Sequence, residues 1–358
     1  MVHVDDESGS APLPGVPPIS QERRNDLNRA LFLMMARMRC RGHALSCFLD
    51  EPPSPLIPRR LRRDHADAAP EGELHVNASF RYAPHGEPPD EIRRVTMDGL
   101  LGATPVAWIE DAGTGIWTPF WARGEWLEIL ASLQPGRPAP AALPPGIRRT
   151  LADVHVLVPP DGERQRRQAW EPIVSDAAAR FQRHGYAIVR DLLHPVLLGA
   201  LRRYYRGLVA GGRLPRGDDQ VAERYRLHSE PVAMFFHPQL ATLLGRVAGE
   251  PVRPSYLYFA SYPAGSALPR HVDRLQCEFS ISLLVDYSPE PDGPSGWPLF
   301  LEHPDLPGGV VAADLGIGDA ILYRGRELLH YRDPLPDGHQ SSSLFFHYVR
   351  EDFAGDTF

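Results

Sequence analysis

Lysine is absent: all 38 basic residues of the 358-residue chain are arginine. No lysine can therefore serve as a nucleophile, a Schiff-base amine or a carboxylate anchor, so a bound dicarboxylate must be held by Arg, Ser, Tyr or His. Cysteine is scarce too. Cys40, Cys47 and Cys277 make an odd count with no C-x-x-C pair, which argues against a disulfide framework and a cysteine zinc site and predicts reduced thiols. No apolar run approaches the ~20 residues of a membrane span, so no membrane partner is expected. The first residues, Met-Val-His-Val-Asp-Asp-Glu, lack the basic-then-apolar order of a signal peptide, and cytoplasm is the expected compartment. A net charge of −7 opposes broad phosphate-driven binding of nucleic acid.

What is present suits a soluble globular protein, with 43% hydrophobic and 23% charged residues. Residues 1–20 are rich in Pro, Gly, Ser and acid and read as a disordered tail. Leu27, Leu31, Met34, Met35 and Met38 recur at helical spacing. Residues 50–90 are dense in proline and read as irregular, whereas 92–133 read as folded, with Trp108, Trp117, Trp121 and Trp126 forming a core. The proline-rich stretch 134–148 has linker composition. The expected division is therefore a tail at 1–20, an N-terminal accessory or substrate-recognition region at 21–160, and a main domain at 161–358.

In the main domain, helical periodicity covers about Glu163–His184, Pro195–Leu208 and Pro238–Val247, with a strand at Tyr186. After Pro254 the period becomes two. Tyr256–Tyr262, Glu278–Asp286, Trp297–Leu301, Ala320–Tyr323, Leu328–Arg332 and Ser342–Val349 are short β-branched or aromatic runs between turn clusters. This predicts an α+β chain with a jelly-roll core, a double-stranded β-helix, buttressed by helices.

Four His-x-Asp tripeptides occur: His3/Asp5, His65/Asp67, His271/Asp273 and His303/Asp305. Chance alone gives roughly one in a chain of this composition, so context must choose. The first lies in the tail, the second in the irregular segment, and the last spans a proline in a turn. His271 and Asp273 sit between strand-like runs, where residues two apart share a face. With His330, 57 residues beyond Asp273, they can form the two-histidine, one-carboxylate facial triad that leaves positions open on Fe(II). Among other polar residues, His347 reads as a core histidine, His228 and Glu230 as capping or surface groups, and Cys277 as a small buried hydrophobe.

The pattern Tyr262-Pro…Gly265…Arg270-His271-Val-Asp273, then Gly318-Asp319-Ala320 and His330, then Phe346-His347-Tyr348, resembles the Fe(II)/2-oxoglutarate-dependent dioxygenases. The prolyl-hydroxylase and phytanoyl-hydroxylase-like branches are the most similar. The resemblance spans roughly residues 180–350 and implies His271, Asp273 and His330 as iron ligands and Tyr262 beside 2-oxoglutarate. It also implies O2-dependent hydroxylation of a peptide residue, amino acid or small biosynthetic substrate. The family places Arg or Lys about nine to eleven residues after the second histidine, often with Ser two positions on. This chain reads His339-Gln340, with the serine kept at Ser342. Arg324, Arg326 and Arg332 share alternation with His330, and Arg332 is the expected carboxylate contact. Two readings from other classes stay open: a non-catalytic jelly-roll binding module, and a cupin-like or zinc hydrolase with the same triad. A homodimer is compatible with such a chain.

Overall fold

A computed structural model of the chain describes residues 47–51, 55–66, 72–92, 104–212 and 214–357. The periodic stretch at 27–38, His3/Asp5 and Cys40 lie outside these residues. Helix α1 (Arg59–Ala66) precedes strands β1 (His75–Val76), β2 (Arg81–Ala83), β3 (Val106–Glu110) and β4 (Trp117–Trp121). Then come α2 (Trp126–Ser132), α3 (Pro145–Asp153), β5 (Leu157–Val158), α4 (Gly162–His184), β6 (Tyr186–Val189) and α5 (Pro195–Ala210). Strand β7 (Tyr225–His228) and helix α6 (Pro231–Ala248) lead into β8 (Val252–Pro263), β9 (Leu268–His271), β10 (Phe279–Ser288) and β11 (Leu299–Glu302). The chain closes with β12 (Val310–Ala313), β13 (Ala320–Tyr323), β14 (Leu329–Arg332) and β15 (Gln340–Arg350).

Two antiparallel sheets form the expected jelly roll. The larger has the order β6-β13-β10-β15-β8-β7 and the smaller β12-β11-β14-β9. Strand alternation gives the larger sheet two apolar faces. Phe259, Ile281, Leu283, Leu344, Phe346 and Tyr348 join the core beneath the helices. Tyr262, Leu284, Tyr287, Ile321, Tyr323 and Phe345 join a second core with Leu268, Leu299 and Leu301 of the smaller sheet. A bulge between Leu284 and Asp286 shifts the register with β15, so Asp286 turns toward the helices. There Arg202 of α5, fully buried, donates to Asp286 at 2.8 Å and Glu290 at 3.0 Å.

Helix ends follow local chemistry. Gly185 closes α4 at φ 74°, a left-handed position suited to glycine. Helix α6 begins seven residues before the expected Pro238, because Glu230 accepts from the Val232 and Ala233 amides at 3.2 and 2.9 Å and Pro231 occupies the first turn. Pro238 is accommodated inside the helix.

The proline-rich stretch does not divide two cores. Ala44–Phe358 is one compact unit, and α3 forms where linker composition hid an amphipathic turn with Ile147 and Leu151 buried. The four tryptophans are buried as expected, on and beside the sheet β2-β3-β4. Trp108 lies 6.0 Å from the ring of Phe235 on α6, so this region shares the helical core. No helix among the described residues is long and apolar enough to cross a membrane.

Two stability tests follow from these contacts. Arg202→Met leaves Asp286 to Arg206 alone and takes the guanidinium away from Glu290, and is expected to cost about 3 kcal/mol in urea unfolding. His237, buried on α6, bonds the His347 carbonyl at 2.9 Å, and burial pushes its imidazole down to about 3 from 6.5. The unfolded chain therefore takes up that proton first, and stability falls as pH drops from about 6.5 toward 3. A His237→Asn variant should show a shallower acid loss of thermal midpoint than the parent between pH 7 and 4.

Candidate metal centre

The centre is built where the smaller sheet's strands pair. His271 on β9 stands directly opposite His330 on β14, with ring centroids 4.2 Å apart. Asp273 follows two residues later, its amide donating to the Gly325 carbonyl at 2.8 Å. Its Oδ1 lies 3.7 Å from His271 Nε2 and 3.5 Å from His330 Nε2.

Tautomers follow from the outer ring atoms. His271 Nδ1 is 2.8 Å from the Pro269 carbonyl and His330 Nδ1 is 2.9 Å from the Leu328 carbonyl. A carbonyl only accepts, so both Nδ1 atoms carry hydrogen and both Nε2 atoms turn lone pairs toward Asp273. Three lone pairs thus converge on one point, an arrangement that suits a cation. The chemistry of this donor set fits non-haem Fe(II), with coordination positions left open.

The carboxylate is held at its far side. Ser280 Oγ donates to Asp273 Oδ2 at 2.9 Å. Having used its only hydrogen, Ser280 must accept from His347 Nδ1, also at 2.9 Å. Burial alone would raise the Asp273 carboxyl, but the imidazoles of His330, His347 and His271 outweigh it and hold it below the ordinary range. Burial, then His330, depresses His271, and burial brings His347 down to about 4; both favour neutral rings. Gly325 is required for space: a Cβ there would lie 2.2 Å from Asp273 Oδ2.

The sequence candidates are placed unequally. His271, Asp273 and His330 come together. Tyr262 lies on the inner face of β8, its hydroxyl accepting from Arg224 at 3.1 Å. Arg332 is 6% exposed and also lies between the sheets, donating to the Trp297 carbonyl at 2.5 Å with its guanidinium 4.4 Å from that indole. It has no carboxylate partner among the described residues. Ser342 departs from expectation. It pairs with Ser261 and Asp286 on the helix-facing side and bonds Ser261 Oγ at 2.9 Å. Its neighbour Ser341 faces inward between Tyr262 and Tyr287, and the hydroxyls of Ser341 and Ser282 are buried without partners among the described residues.

Arg324 and Arg326 do not share the cavity, because the 324–328 turn breaks the alternation; they pair with Glu327 and Glu278. Asp319 is structural, receiving Arg60, Arg190 and the Gly316 amide. Cys277 is fully buried, its thiol pushed up to about 12 by burial, an inert side chain as expected. His303/Asp305 stays in a turn at 3.6 Å, and the side chain of His65 lies outside the described residues. Sequence reasoning missed Ser280 and Ser341, whose signal was their position on the inner parity of β10 and β15.

No protein-family model and no curated protein sequence matches the chain. Solved structures overlap part of it. The non-heme α-ketoglutarate-dependent epimerase SnoN of nogalamycin biosynthesis is 19% identical over 50% of this chain and 83% of its own, with a TM-score of 0.41. A Pseudomonas putida prolyl-4-hydroxylase is 19% identical over 50% of this chain and 99% of its own, at 0.41. A Trichoplax adhaerens prolyl hydroxylase, solved with a hypoxia-inducible-factor peptide fragment, is 14% identical over 51% and 91%, at 0.42. At this overlap the likeness is one of partial fold, and the chemistry rests on this chain's own geometry.

Ser280→Ala frees the Asp273 carboxylate to turn, and Gly325→Ala displaces it. Each is expected to weaken binding of added Fe(II) or Zn(II) by about 10–100-fold, the usual effect of removing a ligand's supporting contact. Competition with a chromogenic chelator measures it, and unchanged metal affinity in both variants would refute this assignment.

Proposed function

We propose that the chain is a non-haem Fe(II)- and 2-oxoglutarate-dependent oxygenase that hydroxylates a peptide residue, amino acid or small biosynthetic substrate. The observation that carries this reading is the three-lone-pair cluster of His271, Asp273 and His330, set inside a jelly roll beside a buried arginine with no carboxylate partner among the described residues. An unpaired buried charge costs several kcal/mol, so Arg332 is expected to meet an anion in the working state.

The chain's residues divide the work. His271, Asp273 and His330 hold iron, with Nδ1–H donated to Pro269 and Leu328 and the second carboxylate oxygen fixed by Ser280. Arg332 receives the far carboxylate of 2-oxoglutarate in place of the family's cation on the last strand. Ser341, rather than Ser342, supplies the hydroxyl beside it, and Tyr262, oriented by Arg224, closes the pocket wall. Bound Fe(II) would supply oxygen activation coupled to decarboxylation of 2-oxoglutarate to succinate. The apolar walls around Tyr323, Leu268 and Trp297 exclude water, which strengthens every charge contact within.

Anaerobic Fe(II) with 2-oxoglutarate should give a weak visible charge-transfer band. His271→Ala should retain no iron. Arg332→Gln should keep iron yet need roughly 10–100-fold more 2-oxoglutarate for the same band, the worth of a charge-assisted hydrogen bond. An iron-loaded protein with no band overturns the cosubstrate. Iron retained by His271→Ala overturns the ligand set.

A further inference from the structure

We propose that Arg226, His228 and Arg274 form a recognition site for an anionic group on a small-molecule substrate with a flat apolar body. This rests on the oxygenase reading only in calling the ligand a substrate.

Strand β7 is the edge of the larger sheet. Its pairing sets Arg226 opposite Ala260 and His228 opposite Tyr258, and both partners face the space between the sheets. Arg224, at the same period of two, reaches Tyr262 on that face. The run Arg224-x-Arg226-x-His228 therefore presents two guanidinium groups and an imidazole along the edge of the sheet, on the side that faces the smaller sheet. Arg274, next in sequence to Asp273, is exposed on the loop after β9. Arg226, Arg224 and Arg274 all lie close enough to His228 to depress its imidazole, after burial itself.

Counter-charge is short here. Asp218 is committed to Arg224 at 2.6 Å and to the Val221 and Gln220 amides at 2.9 and 3.0 Å. It meets Arg226 only at 4.0 Å. Arg274 is exposed, and its guanidinium has no hydrogen-bond or ion-pair partner among the described residues. Arg224 and Arg226 thus share one engaged carboxylate, with the exposed Arg274 near enough to act on His228, in a chain of net charge −7. Such a local excess of one sign, beside low-dielectric walls, focuses the field on anions.

The walls specify the rest of the ligand. Tyr258 stacks on Phe345 at 4.7 Å and 16°, and Tyr256 on His347 at 4.4 Å. Val272 and Leu275, 50% and 60% exposed, flank Asp273 and Arg274. Stacked rings behind a cationic edge favour a planar or apolar body carrying one carboxylate, phosphate or sulfate. The deeper Arg332 is buried against Trp297 and belongs to the cosubstrate pocket.

The full chain is titrated with naphthalene-2-carboxylate and its uncharged isostere naphthalene-2-carboxamide, with and without Fe(II) and 2-oxoglutarate. The carboxylate should bind roughly tenfold more tightly, a difference of about 1.4 kcal/mol, and lose that advantage as salt rises. Arg226→Gln/Arg274→Gln should bring the two ligands to parity with carboxamide affinity and thermal midpoint unchanged. Arg274→Gln alone, in an exposed loop, should remove part of the preference. The charge-matched control Arg149→Gln/Arg180→Gln should retain it. Equal binding by the parent, no saturable binding of the carboxylate, or a preference that survives the double variant overturns the proposal. Because the titration is also read without metal, failure of iron binding would not be mistaken for failure of this site.

Discussion

Two backbone carbonyls set the donor geometry of the candidate metal centre. Each histidine of the candidate metal centre bonds the carbonyl two residues before it, Pro269 for His271 and Leu328 for His330. That contact fixes the hydrogen on Nδ1 and turns Nε2 inward, so the strand's own geometry selects the tautomer. The pairing of β9 with β14 is irregular just beyond His330, where Arg332 pairs with Leu268. Pro269 falls within that irregularity and cannot donate to a ladder in any case. A local break in the ladder is thus tied to the setting of His271 and to the placement of Arg332.

The larger sheet separates stability from chemistry by parity. Its outer face carries the ion pairs of Arg202 and Arg206 with Asp286 and the apolar contacts to the helices. Its inner face carries Ser280, Ser341, Tyr262 and His347. The bulge at Leu284/Asp286 lets one strand serve both, sending Asp286 outward while Leu284 and Tyr287 remain inside. Because a one-residue slip exchanges the faces, the site depends on register as strongly as on residue type.

That dependence explains what was legible beforehand. His271, Asp273 and His330 could be chosen because residue type, strand context and spacing agree, and the helices α4 and α5 were marked by periodicity and by Gly185 and Pro195. Ser342 was chosen by its distance from His330. Spacing across a turn does not fix the parity of the next strand, and the inward residue is Ser341. Arg324 and Arg326 fail for the same reason, since alternation assumed through the 324–328 turn ends there. Strands β7, β9 and β12 are four residues long and flanked by polar or Pro/Gly-rich sequence, so their pairing partners, not their composition, make them strands. Helices α1 and α3 were hidden by surrounding prolines that lie at or before their first turns.

The absence of lysine has a final structural consequence. A buried ammonium is compact and strongly hydrated, whereas a guanidinium is weakly hydrated and lies flat on an aromatic face. Arg332 uses that property: its charge sits on the Trp297 indole and, among the described residues, bonds that residue's carbonyl. In the proposed oxygenase the cosubstrate's anchor therefore comes from β14, the strand of the second histidine, instead of from β15 across the cavity. Ligand and anchor are then two residues apart on one strand, and their separation is set by backbone geometry rather than by the packing of two sheets. The face of β15 freed by that exchange carries the small hydroxyls of Ser341 and Ser343, where a long cationic side chain would otherwise fill the cavity between the sheets.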